Sequence, residues 1–319
     1  MPRLYSMKSI CFWGVKIAHG PAVLATTRRR CSSAASHVRA SHRGSGSRGD
    51  PFKLLGASSC APPRWRVGRE GGYAQGMESA RRPIAYRWLG RLGYDEAHAE
   101  QRRLVDGRVG GSGVDTFLAL EHEPVLTLGK NATLAHLHLS EAEYAERGIE
   151  LRRVERGGEV TYHGPGHLVA YPIVNLRAAG ISLRQHICAL EDALIAACAH
   201  YGVAAERRDG APGCWVGERK IGAVGVRVES GVAWHGLALN VGRDLEAFSL
   251  INPCGHAGVV STSIALERDW AAVASGDRAA VGATAPPVEE VAEVAARAYA
   301  AAIGAYLDDA TISGMSVSA

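Results

Sequence analysis

Nowhere in the 319 residues is there a run of about eighteen uninterrupted apolar side chains, which argues against a membrane-spanning helix. The seven cysteines contain no CxxC pair and no regular spacing. That excludes the usual zinc ribbon and the disulfide scaffold, and thiols scattered in this way suit a reducing compartment. No internal repeat is present, which removes the solenoids and propellers. With 47% hydrophobic and 21% charged residues, both near the globular average, wholesale disorder is excluded as well.

Acidic residues are scarce in the first 76 positions. Ten Arg and three Lys there face only Asp50 and Glu70, a net +11, while residues 77–319 carry −7. The sequence pI near 8.7 therefore averages two unlike pieces and gives no reason to expect nucleic-acid binding by the body. The triplet Arg28 to Arg30 is too short to suggest otherwise. Residues 1–76 are rich in Arg, Ser, Gly and Ala, lack a sustained period, and read as a disordered basic extension. Lys8 and Lys16 interrupt the apolar stretch that a secretory signal needs. Two readings remain: an organelle leader, or sequence ahead of a true start at Met77. Three cysteines and scattered Trp favour the second. Residues 77–319 then form one catalytic domain.

From Ile84 onward the text is ordered. Ile84–Leu92 predicts a strand, Tyr94–Asp106 a helix, and Thr116–Glu121 and Val125–Leu128 two short strands after the break at Gly110–Gly113, which lacks the Lys and spacing of a P-loop. Ser140 with Glu143 is a capping box opening a short helix to Arg147. His167–Leu176 reads as a buried strand. Leu183, Ile187, Leu190, Leu194, Cys198 and Tyr201 recur at three- and four-residue spacings and predict a helix from Ser182 closed by Gly202, with Cys188 and Cys198 as small core residues. Strand-like runs follow at Cys214–Val216, Ile221–Val228 and Val232–Val241, then one Ala-rich helix over Pro287–Leu307. Interspersed strands and helices indicate a single α/β domain, a mixed sheet with flanking helices.

Three places could hold chemistry. Arg156-Gly157-Gly158-Glu159-Val160-Thr161-Tyr162-His163-Gly164-Pro165-Gly166 has four glycines and a proline in eleven residues, too many for a helix or a central strand. Glycines let a backbone approach a ligand, and Arg156 and His163 would bracket that surface with a fixed charge and a titratable ring. The alternative is a tight connection whose polar groups satisfy one another. Asn252-Pro253-Cys254-Gly255 sets a cysteine on a turn, and its thiol needs a nearby cation or N–H donors to become thiolate at neutral pH. Lys220, in a run flanked by Gly and Ile, could be that cation or a solvated strand-end charge; spacing alone does not pair it with Cys254. His136-x-His138 has metal-like alternation, but no cluster completes a site, and no metal is expected. His235 is either ligand-facing or a strand end, and Cys214 beside Trp215 reads as packed.

The blocks LALEHEPVLTLGKNA, RGGEVTYHGPG, RKIGAVGVRV, HGLALNV and INPCG, in that order between about Tyr86 and Leu266, resemble the octanoyl-acyl-carrier-protein:protein octanoyltransferases of lipoate biosynthesis. The resemblance implies the fold of biotin- and lipoate-protein ligase catalytic domains. It implies that Cys254 is the acyl-accepting nucleophile and that Lys220 lowers its pKa and serves as acid and base, with His163 as a helper. It further implies that Arg156, Gly157, Gly158, Glu159, Val160, Thr161, Tyr162 and His163 line the acyl pocket, completed by Ala223, Val224, Gly225, Gly236, Leu237 and Ala238. The donor would be octanoyl-acyl-carrier protein. The acceptors would be lipoyl domains of 2-oxoacid dehydrogenases and the glycine cleavage H protein, with no cofactor, nucleic acid or membrane involved. Thioester to amide is downhill, so no ATP is required. The implied compartment is the cytoplasm, or the mitochondrial matrix if residues 1–76 are a transit peptide. For an acidic carrier, Arg147, Arg152, Arg153 and Arg156, joined by Arg207, Arg208, Arg219 and Arg227, would form a steering patch. The chain departs from the family pattern at His167, where Gln is usual, in Gly242-Arg243-Asp244, and at His256.

Three rivals stand beside this reading: an ATP-dependent lipoate- or biotin-protein ligase of the same fold, a thioester hydrolase using Cys254, and a non-enzymatic module binding acyl carriers or lipoyl domains. The ligase does not require the PCG cysteine.

Overall fold

Eight of the nine residues of His167–Asn175 are buried, so this strand must lie inside a sheet covered on both faces. The computed structural model describes residues 81–253 and 258–308 and places that strand at the centre. In chain order the strands are β1 (Arg82–Leu92), β2 (Thr116–His122), β3 (Val125–Leu128), β4 (Glu150–Arg153), β5 (Val160–His163), β6 (His167–Asn175), β7 (Gly213–Val216), β8 (Arg219–Glu229), β9 (Val232–Asn240), β10 (Val260–Ser261) and β11 (Ala305–Leu307). The helices are α1 (Tyr94–Val109), α2 (Glu141–Glu146), α3 (Leu176–Ala179), α4 (Leu183–His200), α5 (Ile264–Ser275) and α6 (Val288–Ala302). The main sheet runs β10-β8-β9-β6-β2-β1-β11 with β7 beside β8, and a small sheet runs β4-β3-β5. Pairing is mixed: β1 is parallel to β2 and β11, while β6 is antiparallel to β2 and β9.

One face of the sheet carries Phe117, Leu168, Leu237 and Leu239 against Leu190, Leu194 and Cys198 of α4 and Val291, Ala295 and Tyr299 of α6. The spacing that predicts α4 is the spacing of its buried face, and burial of Leu190 and Leu194 contributes about 1.5–3 kcal/mol each. Ser182 caps the helix in a capping box with Gln185, and Ser140 does the same for α2 with Glu143. The opposite face, with Leu118, Leu120, Val169, Tyr171 and Trp234, lies under Ala97 and Val105 of α1. Cys198 and Cys214 are free thiols in the core, where the neighbouring thiol and burial push Cys214 well above the usual range, while Cys188 is only half-buried.

Two segments singled out in the sequence fold differently from expectation. The terminal helix ends at Ala302, not Leu307. Gly304 takes φ 69°, the left-handed turn reverses the chain, and Ala305 and Leu307 bury alternately as β11 beside the open edge of β1. The glycine-rich run is not all loop, since Val160–His163 forms β5. It is an edge strand of the small sheet, so the exclusion of a central strand stands. No described helix is long and apolar enough to cross a membrane.

Candidate active site

Between the main sheet and the small sheet lies a cavity of about 370 Å³, within the range of small-ligand sites. Its walls come from β3, β5, β6, β8 and β9, from the turn before β7, and from Tyr94 of α1 and Trp215 of β7. Arg156, Gly158, Glu159, Val160, Thr161 and His163 line one side; Lys220, Ala223, Val224, Gly225, Gly236, Leu237 and Ala238 line the other. The register explains the second group, because Ala223, Val224 and Gly225 of β8 pair with Ala238, Leu237 and Gly236 of β9. Of the described residues expected here, Gly157 and Tyr162 are absent from the wall. The Gly157 N–H instead ties the loop to Val226 of β8 at 2.9 Å, and Tyr162 packs edge-on against His167 and Phe248. Cys254 and His256 lie outside the described residues, as does the basic extension.

Arg156 is held rather than free to steer. Its guanidinium donates to the Thr127 carbonyl at 2.8 Å, to Thr127 Oγ1 at 2.7 Å and to the Gly157 carbonyl at 3.1 Å. Gly225 lets it come that close: a Cβ there would stand 3.0 Å from Arg156 Cδ and 3.0 Å from the Gly157 oxygen. Thr127 Oγ1, which accepts from Arg156, also contacts His163 Nε2 at 3.3 Å, so the hydroxyl links the guanidinium to the imidazole. Burial, helped by His122 and Arg156, pushes the His163 pKa well below the ordinary value, so the ring is neutral at pH 7.

Lys220 is 8% exposed. Its ammonium donates to the Pro212 carbonyl at 3.1 Å and lies 5.2 Å from the Trp215 ring centre. The chain that follows Cys254 returns beside it, because Ser261 of β10 is the partner of Lys220 and Thr262 N–H donates to the Lys220 carbonyl at 2.9 Å. Arg219 turns away to Glu267 at 2.8 Å.

His235 lies within β9, so it is not a strand end, and it faces the cavity. Its φ of 55° is unusual for a residue other than glycine, and its N–H is taken by the side chain of buried Gln101 at 3.2 Å. The ring stacks on Trp234, and Nε2 stands 3.7 Å from Glu155. Burial lowers its pKa to about 4 against the pull of Glu155. His167 donates from Nε2 to the Asp244 carbonyl at 3.1 Å and stacks on Phe248, so two departures from the family pattern contact each other. Five of the arginines proposed as a steering patch are spent on acidic neighbours: Arg152 on Asp95, Arg207 on Glu191, Arg208 on Glu218, Arg219 on Glu267 and Arg227 on Glu229.

Residues 93–273 match the family model of the lipoyl protein ligase A/B catalytic domain. The chain belongs to this family. An octanoyltransferase of Desulfotalea psychrophila is 44% identical over 182 residues, which cover 56% of this chain and 82% of that protein. One of Chloroflexus aggregans is 44% identical over 208 residues, 64% of this chain and 88% of the relative. Among solved structures, P. falciparum LipL1 in complex with lipoate superposes with a TM-score of 0.50 at 10% identity, over 69% of this chain and 62% of that one. The fold is that of the ligase catalytic domains, as the resemblance implies, and with relatives of this kind the chain is an acyltransferase.

Several wall residues of this family member escaped the sequence reading: Tyr94, Thr127, Asn131, Tyr171 and Trp215. Tyr94 opens a helix and Tyr171 sits in a uniformly buried strand, so neither stands out by type or spacing. Thr127 alone left a trace, as the polar residue of an otherwise apolar strand.

Proposed function

We propose that the protein moves an octanoyl group from octanoyl-acyl-carrier protein to a lysine of lipoyl domains, through a thioester on Cys254. The observation that carries the reading is Lys220: a buried ammonium in the wall of a largely apolar cavity, with the chain from Cys254 returning to its side. Lys220 already donates to Pro212, and a thiolate beside a buried ammonium would offset more of the cost of burying the charge. The same field favours the thiolate over the thiol at neutral pH.

The Cys254 thiolate attacks the thioester carbonyl and expels the carrier thiolate, which takes a proton. The acceptor lysine, after losing a proton, attacks the new thioester, forms the amide and expels Cys254 as thiolate. Lys220, left neutral once its ammonium has given a proton to the departing carrier thiolate, is the base for that amine. His163 is poorly suited to help, because burial weakens its hold on a proton and Nε2 is engaged with Thr127. The apolar stretch of wall from Val160 and Val169 to Leu237 and Ala238 suits an acyl chain, and the reaction as drawn consumes no ATP. The compartment that suits this chemistry is the cytoplasm, or the mitochondrial matrix behind a transit peptide.

Intact-protein mass spectrometry of the full chain mixed with octanoyl-acyl-carrier protein tests the reading. One octanoyl mass, labile to hydroxylamine, absent in Cys254→Ser and discharged by apo lipoyl domain, is the expected result. Lys220→Met should slow the adduct at pH 7 by about a hundredfold and regain rate as pH approaches the unassisted thiol value near 8.5. Transfer only with ATP and free octanoate, without an adduct, would establish the ligase instead.

A further inference from the structure

The alternation His136-x-His138 takes no part in the chemistry above, yet both imidazoles are firmly engaged. Leu137 between them is extended and bridges Ile251 in antiparallel fashion, so Asn252 N–H donates to the His136 carbonyl at 2.9 Å and His138 N–H to the Leu250 carbonyl at 3.1 Å. The two rings then reach in different directions. His136 Nδ1 contacts Glu159 Oε2 at 3.0 Å, on the cavity wall. His138 Nδ1 contacts the Ser249 carbonyl at 3.0 Å, and its Nε2 contacts Asn252 Oδ1 at 3.0 Å.

The chemistry of these contacts fixes their sense. A carbonyl only accepts, so His138 Nδ1 carries a proton. Nε2 then either donates to Asn252 Oδ1 as an imidazolium, or, with the amide turned over, accepts from Asn252 Nδ2 as a neutral ring. The contact is kept in both protonation states. The surrounding support is firm: Tyr144 Oη donates to the Leu250 carbonyl at 2.6 Å, and Leu137, Leu139, Phe248, Leu250 and Ile251 share one apolar cluster.

We propose that His138 is a positioning residue for acyl transfer: gripping Ser249 and Asn252, it fixes the backbone two residues ahead of Cys254, while His136 anchors the same segment to Glu159 on the cavity wall. An exposed histidine with both ring nitrogens on one short stretch of chain is more than a solvated side chain. The stretch it holds leads directly to the nucleophile. This inference rests on the reading of Cys254 as the acyl carrier.

The test is the single-turnover rate of Cys254 acylation by octanoyl-acyl-carrier protein, at saturating donor, in the full chain. His138→Ala should slow it by about tenfold to a hundredfold, the scale of a misplaced reacting group. Donor KM should stay within about twofold and the melting temperature within a few degrees, because the lost contacts are exposed. His138→Gln, whose amide reaches where Nε2 stands, should recover most of the rate. Adding His138→Ala to Asn252→Ala should cost little beyond Asn252→Ala alone, since both remove the same grip. An unaltered rate in His138→Ala overturns the proposal, as does a slow variant that Gln fails to rescue or whose loss simply multiplies with that of Asn252→Ala. Failure of the unaltered protein to form the adduct would instead refute the reading of Cys254, and the positioning role with it.

Discussion

His186 of α4 is fully buried against α6, on helices that contribute nothing to the cavity wall, with Nδ1 2.8 Å from the Tyr299 hydroxyl and, among the described residues, no partner for Nε2. Burial lowers its pKa from 6.5 to about 4. The unfolded chain therefore binds a proton near pH 6.5 that the folded chain refuses until about pH 4. The His186 contribution is intact above pH 6.5, falls as pH drops from 6.5 towards 4, and is fully lost below that. At pH 5, one and a half units below the unfolded value, the penalty is about 2 kcal/mol at ~1.36 kcal/mol per unit. The double change His186→Leu with Tyr299→Phe removes both polar partners, so at pH 7.5 it should cost little. At pH 5 it should spare the protein that 2 kcal/mol relative to the unaltered chain. Urea unfolding at pH 5, 6 and 7.5, read as midpoints with a common slope, measures the difference. Parallel stability-against-pH curves for the two proteins would refute the account of His186 as a buried neutral ring.

Asp115 is buried and accepts from Arg82 at 2.8 Å, Arg108 at 2.9 Å and Asn175 N–H at 3.0 Å, joining β1, the end of α1 and the end of β6. Asp115→Ala should destabilise by about 2–3 kcal/mol, seen in urea midpoints, because two arginines lose their carboxylate. Gly225→Ala should displace Arg156 and the Gly157 carbonyl, costing about 1–3 kcal/mol of stability and raising donor KM about tenfold in steady-state kinetics; normal values for both would contradict the close approach described here.

Periodicity made α4 readable, because a helix buried along one stripe must repeat its apolar residues every three or four positions, and Ser182 and Gly202 bounded it. Strands β4 and β10 carry four and two residues, too few to show a period, and exist because β3 and β8 offer them edges. Helix α5 is bounded in the sequence by the Ser263 cap and by Gly276 at the other end, but its twelve residues lack the long apolar stripe of α4. The cavity wall is a different matter. Thr127, His163, Lys220 and His235 meet only because the small sheet folds over β8 and β9, and no local rule joins positions so far apart. Family resemblance supplied His163 and Lys220; Thr127 and His235, and the hydrogen bonds that hold Arg156 and His138, are visible only in the folded chain.

The edge strand β11 has a consequence for how the chain reaches this structure. It pairs with β1 across about 220 residues, Arg82 with Ala305 and Ile84 with Leu307, and Asp308 N–H extends the seal to the Ile84 carbonyl. During synthesis the outer rim of β1 stays unsealed until almost the whole domain has left the ribosome. For that interval its free amides and carbonyls are a template for strands of other chains. Such long-range closure slows folding and makes the nascent protein most vulnerable to aggregation just before β11 arrives.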